Sequence, residues 1–262
     1  MSDLSPREAI DPELRRHCRA LKLSPMLDTL PERFVLARQR KMTHQDFMVL
    51  VLGDEVQRRA QKSAADRAKK GQLDPQMRIE NWDSTAEVTF DQALWNELTS
   101  LRFVDSKHHV LILGPVGVGK TFMANALGHI ACRRGKTVMA WRTDRLLKHL
   151  KASRLDNSYE RELRKLVGVD LLILDDFCLD QLDGTESRDV YELIYDRHQR
   201  GSMAITSNRE PTEWLAMMAD PLRAQSAIDR LQNAAYELVV EGESYRKRQR
   251  PSLAKLTGGD AG

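Results

Sequence analysis

The sequence predicts an α/β protein: a parallel five-stranded sheet with flanking helices, preceded by a small all-helical N-terminal domain. Three observations predict it. From about residue 80 onward, short β-rich apolar runs alternate with helical stretches, the rhythm of a parallel sheet with helices on its faces. Two of those runs, Val110-Leu111-Ile112-Leu113 and Leu171-Leu172-Ile173-Leu174, are continuously apolar, as strands buried on both faces are. The first eighty residues instead space their apolar side chains at helical intervals.

In the N-terminal stretch Leu14, Cys18 and Leu21 repeat at i, i+4, i+7, and Phe47, Leu50, Val51 and Val56 share one side of a second helix. Thr43, with Asp46 three residues later, forms a capping box that starts this second helix. Its continuation, Arg58, Arg59, Lys62, Arg67, Lys69 and Lys70, is basic and nearly free of large apolar groups. Charge alone leaves two readings open there, a solvated helix face or a nucleic-acid contact. Gly71, Asp74 and Pro75 punctuate the chain and mark a domain boundary. The expected division is residues 1–75, a helical DNA- or partner-binding domain, then 76–250, the sheet domain, then 251–262, a loose glycine-rich tail. Strands are expected over His109 to Leu113, Thr137 to Trp141, Asp170 to Leu174, Met203 to Thr206 and Glu237 to Val240.

Composition narrows the function classes. Of 262 residues, 41% are hydrophobic and 30% charged, which excludes disorder, collagen and a membrane-spanning chain as whole-chain descriptions. Lysine plus arginine number 41 and aspartate plus glutamate 38, so net charge names no partner. Cys18, Cys132 and Cys178 lie far apart without a Cys-x-x-Cys pair, against a disulfide framework or a zinc site. The N-terminus carries Asp3, Glu8 and Asp11 where a secretory signal has a basic start. The longest apolar runs, such as Phe47 to Leu52 and Val169 to Leu174, fall far below the roughly 18 residues that span a bilayer. The expectation is a soluble cytoplasmic protein without membrane contact.

The chemistry begins directly after the first strand of the sheet domain. Gly114-Pro115-Val116-Gly117-Val118-Gly119-Lys120-Thr121 is a complete G-x-x-x-x-G-K-T, and it runs into a helical stretch from Phe122 to Cys132. Its glycines let the backbone curl so that N–H groups and the helix N-terminus point at phosphate oxygens; Lys120 supplies charge, and Thr121 offers a hydroxyl to magnesium. The ligand expected is ATP with Mg2+, bound by Gly114 to Thr121 together with Phe122. A second strand ends in Asp175-Asp176. Strand ends of a parallel sheet face the ligand crevice, so Asp175 is expected to hold magnesium and Asp176 to orient or deprotonate the attacking water. Asp176 is one methylene shorter than the commoner glutamate, which bears on hydrolysis rate rather than binding. A third strand ends in Thr206-Ser207-Asn208; if it lies beside the phosphate-loop strand, Asn208 polarises the water or touches the γ phosphate. Arg230 and Arg246 flank the last strand, and chemistry alone does not choose between them as the arginine that neutralises transition-state charge.

Taken together and in order, these residues resemble the AAA+ ATPases of the IstB and DnaC group, and most closely the IstB-like helper ATPases of insertion sequences. The resemblance runs from Leu21-Lys22-Leu23 through Gly114 to Thr121, Leu171 to Phe177 and Thr206-Ser207-Asn208, to Asp229-Arg230-Leu231 and Gly242-Glu243-Ser244-Tyr245-Arg246. It implies an AAA+ P-loop NTPase fold, with Asp175 and Asp176 as the Walker B site, Asn208 as sensor 1, Arg230 as an arginine finger acting in trans and Arg246 as sensor 2. It also implies a homo-oligomer, since a finger acting in trans needs a neighbour. The activity implied is ATP hydrolysis by an oligomer that holds duplex DNA and assists the transposase of the same element. Arg142, Arg145, Lys148, Lys151 and Arg154 follow the second strand, where such proteins carry an extra helix facing the oligomer axis; with Arg58, Arg59 and Lys62 they are the expected DNA contacts. The basic run Arg246-Lys247-Arg248-Gln249-Arg250 adds to that charge. The alternative is a DnaC-like replicative helicase loader, whose N-terminal region grips a helicase. A small-molecule kinase is disfavoured because no acceptor pocket or arginine-rich lid is evident.

Overall fold

The computed structural model describes residues 10–245. The chain forms two compact units that part between Ser63 and Ala64. The first contains α1 (Pro12–Ala20), α2 (Met26–Gln39) and most of α3 (His44–Lys70). Asp11 caps α1 by accepting from the N–H groups of Glu13 and Leu14, with Pro12 at the first helical position. Thr43 caps α3: its Oγ1 accepts from the Asp46 N–H at 3.2 Å and donates to the Asp46 carboxylate at 2.7 Å. The returning bond thus reaches the threonine hydroxyl instead of its backbone. Met26, Leu30 and Val51 form the core of this unit, with Phe34 and Phe47 stacked beside them at 5.5 Å. Only part of each expected stripe is covered. Cys18 and Val51 are buried, while Leu14, Leu21 and Val56 are exposed. Helical spacing puts side chains on one face, but three helices supply neighbours for only part of it.

The second unit takes in the end of α3. Ala68 and Leu73 enter its core, Arg67 donates twice to the Cys132 carbonyl at 2.7 and 3.0 Å, and the Ala140 N–H donates to the Gly71 carbonyl at 2.8 Å. The division therefore lies inside α3, ahead of the expected boundary at residue 75. Gly71 to Pro75 punctuate the end of a helix whose last turns already belong with the sheet.

From there the order is β1 (Val88–Thr89), α4 (Gln92–Thr99), α5 (Arg102–Asp105), β2 (His109–Leu113), α6 (Lys120–Arg133), β3 (Val138–Arg142), α7 (Thr143–Ser153), α8 (Tyr159–Gly168) and β4 (Leu171–Asp175). Next come α9 (Gly184–Arg197), β5 (Ser202–Ser207), α10 (Pro211–Met217), α11 (Pro221–Asn233), β6 (Ala235–Val239) and β7 (Glu241–Gly242). Strands β2 to β6 form the five-stranded parallel sheet in the order β3-β4-β5-β2-β6. Each expected strand is present with its ends moved by at most two residues. The two-residue strands β1 and β7 pair antiparallel in a ribbon of their own; such short runs carry no periodicity that a sequence reading can detect.

The apolar strands are buried on both faces. Leu111, Leu113, Leu172, Leu174, Met203 and Ile205 pack with α7 to α11, whereas Val110, Ile112, Leu171, Ile173, Ala204 and Leu238 pack with α4 to α6. This two-sided burial explains the unbroken hydrophobic runs. At the end of the sheet opposite the phosphate loop, the fully buried Arg197 donates to the carbonyls of Leu166, Val167, Val169 and Ser202 at 2.5–3.1 Å. Burial pulls its pKa down to about 10, and the four carbonyls keep the guanidinium in place. It anchors the entries to β4 and β5, the two strands whose far ends carry the site. All three cysteines are buried and free.

Candidate functional site

The site forms at the carboxyl edge of the sheet, where β2, β4 and β5 end beside one another. β2 delivers the phosphate loop. Gly114 has φ 144° and Gly117 φ 89°, backbone conformations that residues with a Cβ rarely adopt. A Cβ on Gly114 would lie 2.0 Å from the Val240 carbonyl oxygen, and one on Gly117 would lie 2.1 Å from Ser244 Oγ. The segment after β6 thus runs against the loop, and only glycine fits at either point. Lys120 opens α6 and is buried. Its ammonium donates to the Pro115 carbonyl at 2.7 Å and to Asn208 Oδ1 at 2.6 Å. The lysine therefore spans from the start of the loop to the end of β5, which adjoins β2 as the Asn208 expectation required.

Thr121, one residue into α6, donates its hydroxyl to Asp175 Oδ1 at 2.8 Å. Thr206 of β5 donates to the same oxygen at 2.5 Å, and the Thr143 hydroxyl donates to the Asp175 backbone carbonyl at 3.0 Å. Three threonines from three elements thus hold one aspartate. The Thr121–Asp175 pair fits magnesium, a hard cation that takes oxygen ligands such as a carboxylate and a hydroxyl. Among the described residues no group of three His, Cys, Asp or Glu forms an all-protein metal cage.

Asp176 sits in the left-handed region at φ 55°, a conformation that aspartate tolerates better than most residues. Its N–H donates to Thr206 Oγ1 at 3.1 Å, and its carboxylate lies 3.9 Å from Arg142 Nε, which also pairs with Asp144 at 3.1 Å. Turned this way, Asp176 lines a pocket of about 430 Å3 together with Val116 to Phe122 and Asn208. Gly114 and Pro115, also expected at the ligand, are not among the residues that line it. The arrangement offers a polyphosphate a lysine, an exposed loop backbone and a helix N-terminus, and offers a water molecule a carboxylate and an amide at two strand ends.

The rest of the lining was not legible in the sequence. Met77, Asn81, Trp82, Asp83, Ala86 and Val88 complete the pocket, joined by Leu179 and Tyr245. Trp82 packs edge-on against Phe122 at 5.2 Å and against Phe90 at 6.2 Å. No motif marks these residues; only Tyr245 fell within a segment the resemblance singled out. Thr206 carried a readable signal, a hydroxyl at the end of an apolar strand.

Other expected residues lie apart from the pocket. Arg230 of α11 donates to the Ser226 carbonyl at 2.9 Å and to the Ser226 hydroxyl, and its guanidinium lies 5.3 Å from the Tyr195 ring centre. It contributes nothing to its own chain's pocket. Arg246 and the basic run that follows lie outside the described residues. Arg58 and Arg59 both bind the buried carboxylate of Glu55, at 2.7 and 2.6 Å, and Lys62 is exposed. These two guanidiniums push the Glu55 pKa down to about 2. On α7, Arg145, Lys148 and Lys151 are all exposed; the two lysines make long pairs with Asp144 at 3.9 Å and Asp183 at 3.4 Å. Arg154 is instead tied to the buried Asp189 and covers the Tyr159 ring at 3.8 Å.

Residues 16–253 match the family model described as IstB-like ATP binding protein. This chain belongs to that family. A Mycobacterium tuberculosis protein named for ATP binding in an insertion sequence is 38% identical over 92% of this chain and 96% of its own length. A Pseudomonas aeruginosa protein named for ATP binding in insertion sequence IS21 is 31% identical over 84% of this chain and 83% of its own. Among solved structures, the DnaC helicase loader aligns with TM-score 0.51 and 18% identity, over 57% of this chain and 87% of that one. The replication initiator DnaA bound to AMPPCP and single-stranded DNA aligns with TM-score 0.54 and 20% identity, over 65% of this chain and 51% of that one. These likenesses are of fold, and the fold is that of the AAA+ P-loop proteins. The chain is thus an IstB-like protein with an AAA+ P-loop fold. Among the described residues no helix is long and apolar enough to cross a membrane.

Proposed function

We propose that this IstB-like protein is a magnesium-dependent ATPase that assembles with copies of itself on duplex DNA and assists the transposase of its insertion sequence. The observation that carries the reading is the meeting of Lys120, Thr121, Asp175, Asp176 and Asn208 at adjoining strand ends. Lys120 neutralises the β and γ phosphates while the loop amides and the α6 N-terminus cradle them. Thr121 and Asp175 would hold a magnesium ion, which would supply positive charge beside the phosphates. Asp176 and Asn208 orient the attacking water, and Asp176 takes its proton. Arg230, apart from its own pocket, serves the site of a neighbouring copy. That division of labour links hydrolysis to assembly.

Duplex DNA is held through phosphates by Arg145, Lys148 and Lys151 on α7, with Lys62 and the more constrained Arg58 and Arg59 contributing less. The protein works in the cytoplasm. The names of its relatives, which tie them to insertion sequences, support a transposase as the partner. The test is sedimentation of the purified protein with duplex DNA under ATP, ADP and no nucleotide at two salt concentrations. The expected result is a large complex that requires ATP and weakens steeply with salt. DNA left free while ATP binds would instead favour a helicase-loader role.

A further inference from the structure

The segment that follows β6 does more than flank the phosphate loop. Its β7 residues pair with β1, Val88 with Gly242 and Thr89 with Glu241. Ser244 then lies over Gly117, and the Tyr245 N–H donates to the Gly117 carbonyl at 2.9 Å. From that anchored backbone the Tyr245 side chain reaches the Met77 to Val88 part of the lining, where its hydroxyl donates to Asp83 Oδ2 at 2.9 Å. The other oxygen of Asp83 accepts from the Thr85 N–H and hydroxyl at 2.9 and 2.6 Å, which fixes the carboxylate in its turn. Trp82, the neighbour of Asp83, lies against Gly119: a Cβ there would be 3.1 Å from the indole.

One residue therefore touches both halves of the pocket, the phosphate loop through its backbone and the aromatic wall through its side chain. We propose that Tyr245 and Asp83 form a clasp that holds the Trp82 wall in register with the phosphate loop, making Tyr245 a positioning residue for the nucleoside half of ATP. The inference rests on reading the pocket as the ATP site. The phosphate loop keeps its shape without the clasp, because the Gly117 contact uses only the Tyr245 backbone. The wall has little regular structure, the 3-10 turn Ile79–Asn81 and the two-residue β1, and beside the packing of Trp82 on Phe122 and Phe90 the clasp limits its movement. Loss of the clasp should thus weaken nucleotides and spare ligands that carry phosphates alone.

The experiment is a double-mutant cycle on the full chain, with Tyr245→Phe, Asp83→Ala and the pair, measuring binding of ATP and of inorganic tripolyphosphate by calorimetry. One hydrogen bond to a charged group at a partly exposed site predicts a loss of about fivefold to tenfold in ATP affinity for each single variant. The double variant should be no weaker than the weaker single one, and tripolyphosphate affinity should stay within about twofold throughout. Additive losses, an unchanged Tyr245→Phe, or a parallel loss for tripolyphosphate would each overturn the clasp. Tyr245→Phe, which removes one oxygen, decides the matter if Asp83→Ala disrupts folding. A wild-type chain that binds tripolyphosphate but not ATP would remove the nucleotide reading itself, an outcome distinct from failure of the clasp.

Discussion

The carboxyl edge of the sheet and the basic run of α3 were both marked by charged residues in the sequence, and they behave oppositely. At the sheet edge, residues separated by many tens of positions converge: Lys120 reaches Asn208, and Thr121 and Thr206 share Asp175. On α3, residues three and four apart turn inward to one another, and Glu55 takes both Arg58 and Arg59. Rigid buried strands hold the first set, so their ends have no freedom to point elsewhere. A helix surface leaves the choice to whichever neighbour bears the opposite charge. A motif backed by buried strands reports geometry, whereas a run of like charges reports only composition.

The comparison breaks most visibly at Lys120. Lys120→Ala should lower ATP affinity by about a hundredfold or more and abolish hydrolysis, because a buried charge-assisted contact to phosphate is lost; calorimetry and a phosphate-release assay measure both. Unchanged affinity would mean that the converging edge is structural. Arg197→Met tests the anchor at the other end of the same strands. The carbonyls of Leu166, Val167, Val169 and Ser202 would each lose a donor, so stability should fall by ~2–4 kcal/mol in denaturant unfolding, while nucleotide affinity in the folded fraction changes little.

A third comparison sets the two basic helices against each other. Replacing Arg145, Lys148 and Lys151 together by alanine should reduce the salt slope of duplex binding by about three, uniformly across DNA sequences. Replacing Arg58 and Arg59 should reduce it by less than about one, since both guanidiniums already face a carboxylate. Equal effects would erase the distinction between tied and open charges. The smallest effect concerns pH. Glu55 has its pKa lowered to about 2 by its two arginine partners, so its stabilising contribution is fully present above the ordinary carboxylate pKa and is lost as pH falls through that folded value. The difference in melting temperature between wild type and Glu55→Gln should therefore shrink between about pH 4.5 and pH 2.

By itself the sequence determined the sheet and the loop that lines one part of the pocket. Continuous apolar runs bounded by turn residues fit strands buried on both faces, and glycines at 114 and 117 with a lysine and threonine after them fit a strand-to-helix loop with an exposed backbone. These features are local, so spacing and residue type suffice. The aspartates at the end of β4 and the asparagine beyond β5 were legible for the same reason, once strand ends were known to share an edge. Tertiary structure decided the rest. The end of α3 joined the sheet unit because Ala68 and Leu73 found apolar neighbours there. Trp82 and Tyr245 met at one pocket although 162 residues separate Asp83 from Tyr245, and no periodicity connects them. Which arginines stay open to a partner depended on where Glu55 and Asp189 lay. Each of these outcomes is a pairing between residues distant in sequence or competing for one partner, and such pairings exist only once the chain has folded.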